Sequence, residues 1–203
     1  MTQLFDGPRL RLAPVDPDHD APIESAWTHD GEYLRLIDTA PARPLSPGQV
    51  KKKYEQLAKE PDKTFHFMLR LHDQPVKGGS PIPGRLLGFA RLLWVDWMHR
   101  AAVLNLGLGA PADRDQGYGQ EALDLLLRYG FDELGLHRVA AFVGGYNLGA
   151  ARFLERNGFL LETRRRQAVA RDGRRWDMLQ YALLRREWAA RPAVLSAAAG
   201  ATP

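Results

Sequence analysis

Residues 103–134 carry a strand, a glycine loop and a helix in direct succession, and that order restricts the chain to folds in which helices cover a sheet. Val103-Leu104-Asn105-Leu106-Gly107-Leu108 is an apolar, strand-like run. Arg114-Asp115-Gln116-Gly117-Tyr118-Gly119 follows, and a helix is expected over 120–134. Its apolar positions Leu123, Leu126, Leu127 and Leu134 share one stripe, with Asp124 and Arg128 expected to pair outside it. Two glycines at a helix start leave several backbone N–H groups unpaired, and the helix dipole adds positive potential. Such a loop suits an anion such as a pyrophosphate, because Gly117 lets the backbone approach a phosphate closely. A plain strand-to-helix turn that uses glycine for packing is the competing reading.

Further along the chain the punctuation is regular. Leu10-Arg11-Leu12-Ala13 alternates and then meets Pro14, as a first edge strand would. Residues 16–44, rich in Pro, Asp and Ala, are expected to hold one irregular helix around Ile23–Trp27. Ser46-Pro47-Gly48-Gln49 reads as a capping box with Ser46 as N-cap, and Val50, Tyr54 and Leu57 then fall on one face. Phe65–His72 and Leu86–Val95 read as a long hairpin around the Pro- and Gly-rich loop Asp73–Gly84. A strand over His137–Val143 leads to a short helix capped by Asn147, with Ala150, Phe153 and Leu154 facing inward and Gly158 as the left-handed stop. Asp172-Gly173 lies between two β-rich runs, Phe159–Ala170 and Arg174–Leu184, and is a strong hairpin signal. The result is an α+β (mixed α/β) domain on one sheet, expected over 1–190 as a single unit, with 191–203 as a mobile tail.

Composition narrows the class. The 203 residues are 45% apolar and 26% charged, as in ordinary globular proteins, and no apolar run approaches membrane-spanning length. No membrane partner is expected, and the N-terminus lacks the pattern of a signal peptide. The absence of cysteine excludes disulfides, thiolate ligands and a cysteine nucleophile, and a cytoplasmic location is the default expectation. A net charge of +4, with arginines at 164, 165, 166, 171, 174 and 175 against Asp172 as the nearby acid, suits an anionic cofactor. No nucleic-acid motif accompanies the arginines. Gly117-x-Gly119-x-x-Ala122 lacks the downstream acid that a dinucleotide fold uses to grip ribose.

Four features from about Leu86 to Trp188 resemble the GNAT acyl-CoA N-acyltransferases. Arg114–Gly119 resembles the family's R/Q-x-x-G-x-G/A loop. Asn147-x-x-Ala150-x-x-Phe153-Leu154-Glu155-Arg156-Asn157-Gly158-Phe159 resembles its N-x-x-A/S…E-K/R-x-G-F segment. Leu134-Gly135-Leu136-His137-Arg138-Val139 stands where the intervening strand begins, and Arg171-Asp172-Gly173-Arg174 with Arg185-Arg186-Glu187-Trp188 resembles the closing hairpin of the RimJ/RimL branch. The resemblance implies a central, mostly antiparallel sheet splayed between its fourth and fifth strands, with acetyl-CoA in the opening. It implies that the pyrophosphate rests on N–H groups of Gln116, Gly117, Tyr118, Gly119 and Gln120 beside Arg114. The pantetheine would pair with backbone at Gly107, Leu108 and Gly109, and Asn147 would contact it from the other side. It further implies acetyl transfer to a primary amine, of a protein N-terminus or a small molecule, by direct attack in a ternary complex.

The catalytic groups depart from that pattern. Asn105 stands where many relatives have a Glu base; it cannot accept a proton at neutral pH, but could hold a water or orient the amine. Asp96 and His99, in the Trp94–Arg100 turn, are alternative bases, and Trp94 and Trp97 are candidates to wall the acceptor pocket, which makes Trp97 and His99 expected substrate contacts. Leu154 and Ala150 replace the Tyr and Ser assigned elsewhere to the leaving thiolate, and Tyr146 lies nearby. A non-catalytic acyl-CoA-binding module on the same fold is therefore the alternative. No metal is expected, and a homodimer is left open.

Overall fold

The computed structural model describes residues 3–75 and 82–191. Seven strands form one sheet: β1 (Leu10–Ala13), β2 (Phe65–Leu71), β3 (Leu86–Asp96), β4 (Ala101–Leu108), β5 (Arg138–Gly144), β6 (Leu160–Arg171) and β7 (Arg174–Leu184). Their order is β1-β2-β3-β4-β5-β7-β6. All neighbours are antiparallel except β4 and β5, which run parallel. The predicted edge strand is β1, and the two long hairpins are β2–β3 and β6–β7. Asp172 and Gly173 both take positive φ, 49° and 69°, as a two-residue turn matched to strand twist requires.

The helices are α1 (Pro17–Trp27), α2 (Gly31–Ile37), α3 (Pro47–Leu57), α4 (Tyr118–Arg128), α5 (Leu148–Arg156) and α6 (Arg185–Ala189). The capping box at Ser46 and Gln49 forms, and Val50 and Tyr54 are buried. Where one irregular helix was expected in 16–44 there are two. Asp16 and Asp30 accept hydrogen bonds from the first turns of α1 and α2, and in α2 the ring of Tyr33 is buried. The helix expected over 120–134 ends earlier as α-helix, and its last turn, Tyr129–Glu133, is a wider π turn.

The Asp124–Arg128 pair does not form. Asp124 turns inward, accepting from Gln120 Nε2 at 3.0 Å and Arg191 Nη2 at 3.3 Å, while Arg128 donates to the carbonyls of Gln3 and Leu4. A helix whose residues Leu123 to Leu127 are all buried has little outer face on which a solvated pair could sit. Arg191, assigned to the tail by sequence, is also anchored through Asn157 Oδ1 at 2.7 Å, whereas 192–203 lie outside the described residues.

Each face of the sheet has its own core. One packs α4 and α5 against the sheet through Leu92, Leu104, Leu123, Leu126, Val139 and Leu154. The other packs α1, α2 and α3 through Ala21, Tyr33, Val50, Tyr54, Met68 and Phe89. The second core also encloses charge, at Glu24 and Arg91.

Candidate active site

The parallel strands part halfway along. Register between β4 and β5 runs from Ala101↔Arg138 to Leu104↔Ala141, and beyond it β5 stays paired to β7 while β4 stays paired to β3. The Gly109 N–H donates to Leu87 O at 2.9 Å. Antiparallel alternation then directs the main-chain groups of Asn105 and Gly107 to β3, and those of Leu106 and Leu108 into the opening. A groove of about 330 Å³ occupies the gap, lined among others by Asn105, Gly107, Leu108, Arg114, Gly119 and Asn147. Gly109 does not line it: the residue is buried against the Trp27 indole and its N–H is bound to Leu87 O.

The loop before α4 forms one end of the groove. Gly117 adopts φ +83° and precedes the first helical residue, Tyr118, without any side-chain cap. The Glu121 N–H reaches Gly117 O at 3.2 Å, so those of Tyr118, Gly119 and Gln120 have no carbonyl behind them in the helix. The Gln120 side chain points elsewhere, into a buried network with Asn157 and Asp124. Arg9, which the sequence reading missed, completes this end. Its Nη1 donates to Gln116 O at 2.8 Å and its guanidinium lies 4.7 Å above the Tyr118 ring. Buried Glu121 holds it in place, accepting from Arg9 Nε at 3.0 Å and from its main-chain N–H at 2.7 Å. Only the tertiary fold brings Arg9, on the approach to β1, against a loop more than a hundred residues away.

Asn147 sits on the opposite wall with both of its side-chain groups engaged. Its Oδ1 accepts the Ala150 N–H at 3.0 Å, and its Nδ2 donates to Leu36 O at 3.1 Å. Tyr146 OH donates to Arg35 O at 2.8 Å. Arg171 donates to the carbonyls of Asp38 and Ala40, and Arg35 pairs with Asp172 at 3.0 Å. The segment through α2 is thus fastened across the gap by the β5–α5 corner and by the tip of the β6–β7 hairpin. The arginine patch is also less bare than its sequence suggested, since Asp177 pairs with Arg164 at 3.2 Å.

At the other end of the groove, Asn105 is half-buried and makes no side-chain hydrogen bond among the described residues. Among the described residues Asp115 is the one carboxylate residue on the lining, and no histidine lies there. Trp97 and His99 are placed elsewhere. They occupy the β3–β4 turn, beyond the opposite end of β4, roughly 17 Å of strand from Leu106. The Trp97 indole donates to Asp62 O at 2.7 Å, and the His99 N–H is held by Asp96. Trp94 is two-thirds exposed near the same turn, 66%. A hairpin of this length carries its turn away from the splayed end, which local sequence does not reveal.

The comparisons agree with this architecture. Residues 9–160 match the family model described as "Acetyltransferase (GNAT) domain". The chain is 32% identical over 78 residues to "Uncharacterized N-acetyltransferase YnaD" of Bacillus subtilis, covering 38% of this chain and 46% of that one. It is 32% identical over 113 residues to "Putative ribosomal N-acetyltransferase YdaF" of the same organism, covering 56% and 61%. The matched stretch thus spans about half the length of these curated relatives. A spermidine N-acetyltransferase from Vibrio cholerae, crystallised with CoA and spermine, superposes with a TM-score of 0.73 at 18% identity over 89% of this chain and 98% of that one. A probable acetyltransferase superposes with a TM-score of 0.73 at 23% identity over 92% and 97%. With a family match over residues 9–160, well over half of the chain, the chain belongs to the GNAT acetyltransferase family.

Proposed function

We propose that the protein is an acetyl-CoA-dependent N-acetyltransferase that moves an acetyl group to a primary amine by direct attack in a ternary complex. The observation that carries this reading is the groove between β4 and β5, which ends at an uncapped helix start with Gly117 in the left-handed region. The residues suit the co-substrate. The N–H groups of Tyr118, Gly119 and Gln120, with Arg9 and Arg114 close by, meet a pyrophosphate's charge. The exposed main-chain edge at Leu106 and Leu108 offers donors and acceptors to a pantetheine amide. In transfer, the amine nitrogen forms a bond to the acetyl carbon, the carbon–sulfur bond breaks, and CoA leaves as thiolate. In this reading the Leu108 N–H polarises the carbonyl and Asn105 orients the amine, both being residues of the groove lining.

Among the described residues no carboxylate or histidine lines the groove near Asn105, and in this reading the amine proton passes to water. The log of kcat/KM should therefore climb with unit slope toward the amine's own pKa of about 10. A plateau at neutral pH would reveal an enzyme base and overturn this account. Calorimetry with acetyl-CoA, CoA and NAD, followed by thiol release over an amine panel, tests the whole reading. Binding of both CoA forms but not NAD, with turnover, is expected. Binding without transfer to any amine would leave an acyl-CoA-binding module, and no binding would sink both. Arg9→Ala should weaken acetyl-CoA about tenfold, the scale of one charge-assisted hydrogen bond, and steepen no other step. A homodimer is part of the proposal, to be checked by light scattering, and the described residues contain no helix long and apolar enough to cross a membrane.

A further inference from the structure

The acceptor end of the groove is backed by a buried guanidinium that the transfer reaction does not use. Arg91 pairs in register with Asn105, so both side chains rise from the same face of the sheet. It is 4% exposed, and its guanidinium stacks 3.7 Å from the centre of the Phe89 ring. Arg91 is not itself on the groove lining: at Gly107, which is, a side chain would meet that same ring at 2.9 Å and Ile37 at 3.2 Å, so the Phe89 ring packs between Gly107 and the guanidinium. Among the described residues Arg91 Nε and Nη2 have no hydrogen-bond partner, and neither does the hydroxyl of Tyr33, which is 1% exposed and lines the groove.

The charges around Arg91 do not cancel. Glu24 is the buried carboxylate beside it, 3.8 Å from Nη2, but its nearer partners are Lys53 Nζ at 3.1 Å and Tyr54 OH at 2.8 Å. One carboxylate thus faces two cations. Asp20 is taken by Arg70, and Asp38, which also acts on Arg91, is exposed and bound to the Ala40 N–H. Neighbouring His66, across the strand pair, is held neutral by burial and adds no negative charge. A buried donor with excess positive charge favours an anionic ligand and opposes a second ammonium.

Resting on the acetyltransferase reading, we propose that the acceptor carries a carboxylate close to its reacting amine, as an amino acid does, and that Tyr33 and Asn105 on the lining contact this carboxylate while Arg91 behind them supplies the countercharge. Polyamines would set a second cation against Arg91 and are disfavoured.

The test uses the full chain with acetyl-CoA and measures thiol release with each of the common amino acids, the corresponding amino acid amides, and spermidine. The best acid should exceed its amide in kcat/KM by about 10- to 100-fold, the range of a hydrogen-bonded charge. In Arg91→Gln that ratio should fall close to unity while the calorimetric Kd for acetyl-CoA is kept, and Arg91→Lys should restore part of it. If Arg91→Gln does not fold, Tyr33→Phe gives the same readout, a reduced acid-to-amide ratio, without removing a charge. Preference for the amides or for spermidine, or an unchanged ratio in the folded variants, would overturn the proposal. So would acetyl-CoA binding with no transfer to any carboxylate-bearing amine, whereas loss of acetyl-CoA binding itself refutes the acetyltransferase reading.

Discussion

Gly117→Glu should sharply weaken acetyl-CoA binding while leaving the protein folded. Residue 117 has φ +83°, where any side chain is strained by about 1–2 kcal/mol, and an ideal Cβ there lies 2.9 Å from Arg9 Nη2. Arg9 is a flexible, half-exposed neighbour that can give way, so the stability loss stays small. Binding is another matter. The new carboxylate stands beside the N–H groups proposed to hold a pyrophosphate, and like charges at close range near a protein surface repel by about 2–4 kcal/mol. Affinity should fall about 30- to 900-fold by calorimetry, with a thermal midpoint only a few degrees lower. Retained affinity would place the pyrophosphate elsewhere.

Glu24→Gln should be the most destabilising conservative change in the chain. Glu24 is 1% exposed and accepts from Lys53 and Tyr54 while facing Arg91. Burial by itself would raise its pKa, but the combined pull of Lys53, Arg91 and the Tyr54 hydroxyl outweighs this, and the carboxyl lies below its ordinary value of 4.5. Replacing it leaves two cations with no buried countercharge, at a cost of about 3–5 kcal/mol, or about 10 °C in Tm for a domain of this size. The sign of the pH effect follows from the lowered pKa. The stabilisation is complete above the unfolded-state value of 4.5 and is lost as pH falls through the folded value. Urea midpoints should therefore decline below about pH 4.5 in the wild type, and that decline should be shallower in Glu24→Gln. An unchanged midpoint at neutral pH would mean that Glu24 is not the countercharge.

Much of the scaffold could be read from local chemistry. Asp172-Gly173 specifies a two-residue turn through backbone preference alone, and Ser46 with Gln49 specifies a helix start. Asn147 and Gly158 bracket α5 in the same way. The helix α2 escaped notice because seven residues are too few to show a period; its stability comes from the Asp30 cap and the packing of Tyr33 against Trp27. The Asp124–Arg128 pair was misjudged because i,i+4 spacing says nothing about which face an adjoining segment will cover.

The site divides along the same line. The glycine loop, the strand before it and the Asn-capped helix after it lie within a few tens of residues, and backbone conformation announces them, so the sequence by itself determined a glycine loop opening onto a helix start on an α+β sheet. Where the sheet parts, that Arg9 reaches Gln116, that Trp97 and His99 fall at the far end of β4, and that Arg91 lies behind Asn105 with Glu24 as its shared countercharge were decided by tertiary structure. Those features depend on strand register and on side chains meeting across the whole chain. Charge pairing of that kind is set by burial and distance in three dimensions, and neither is encoded in spacing along the sequence.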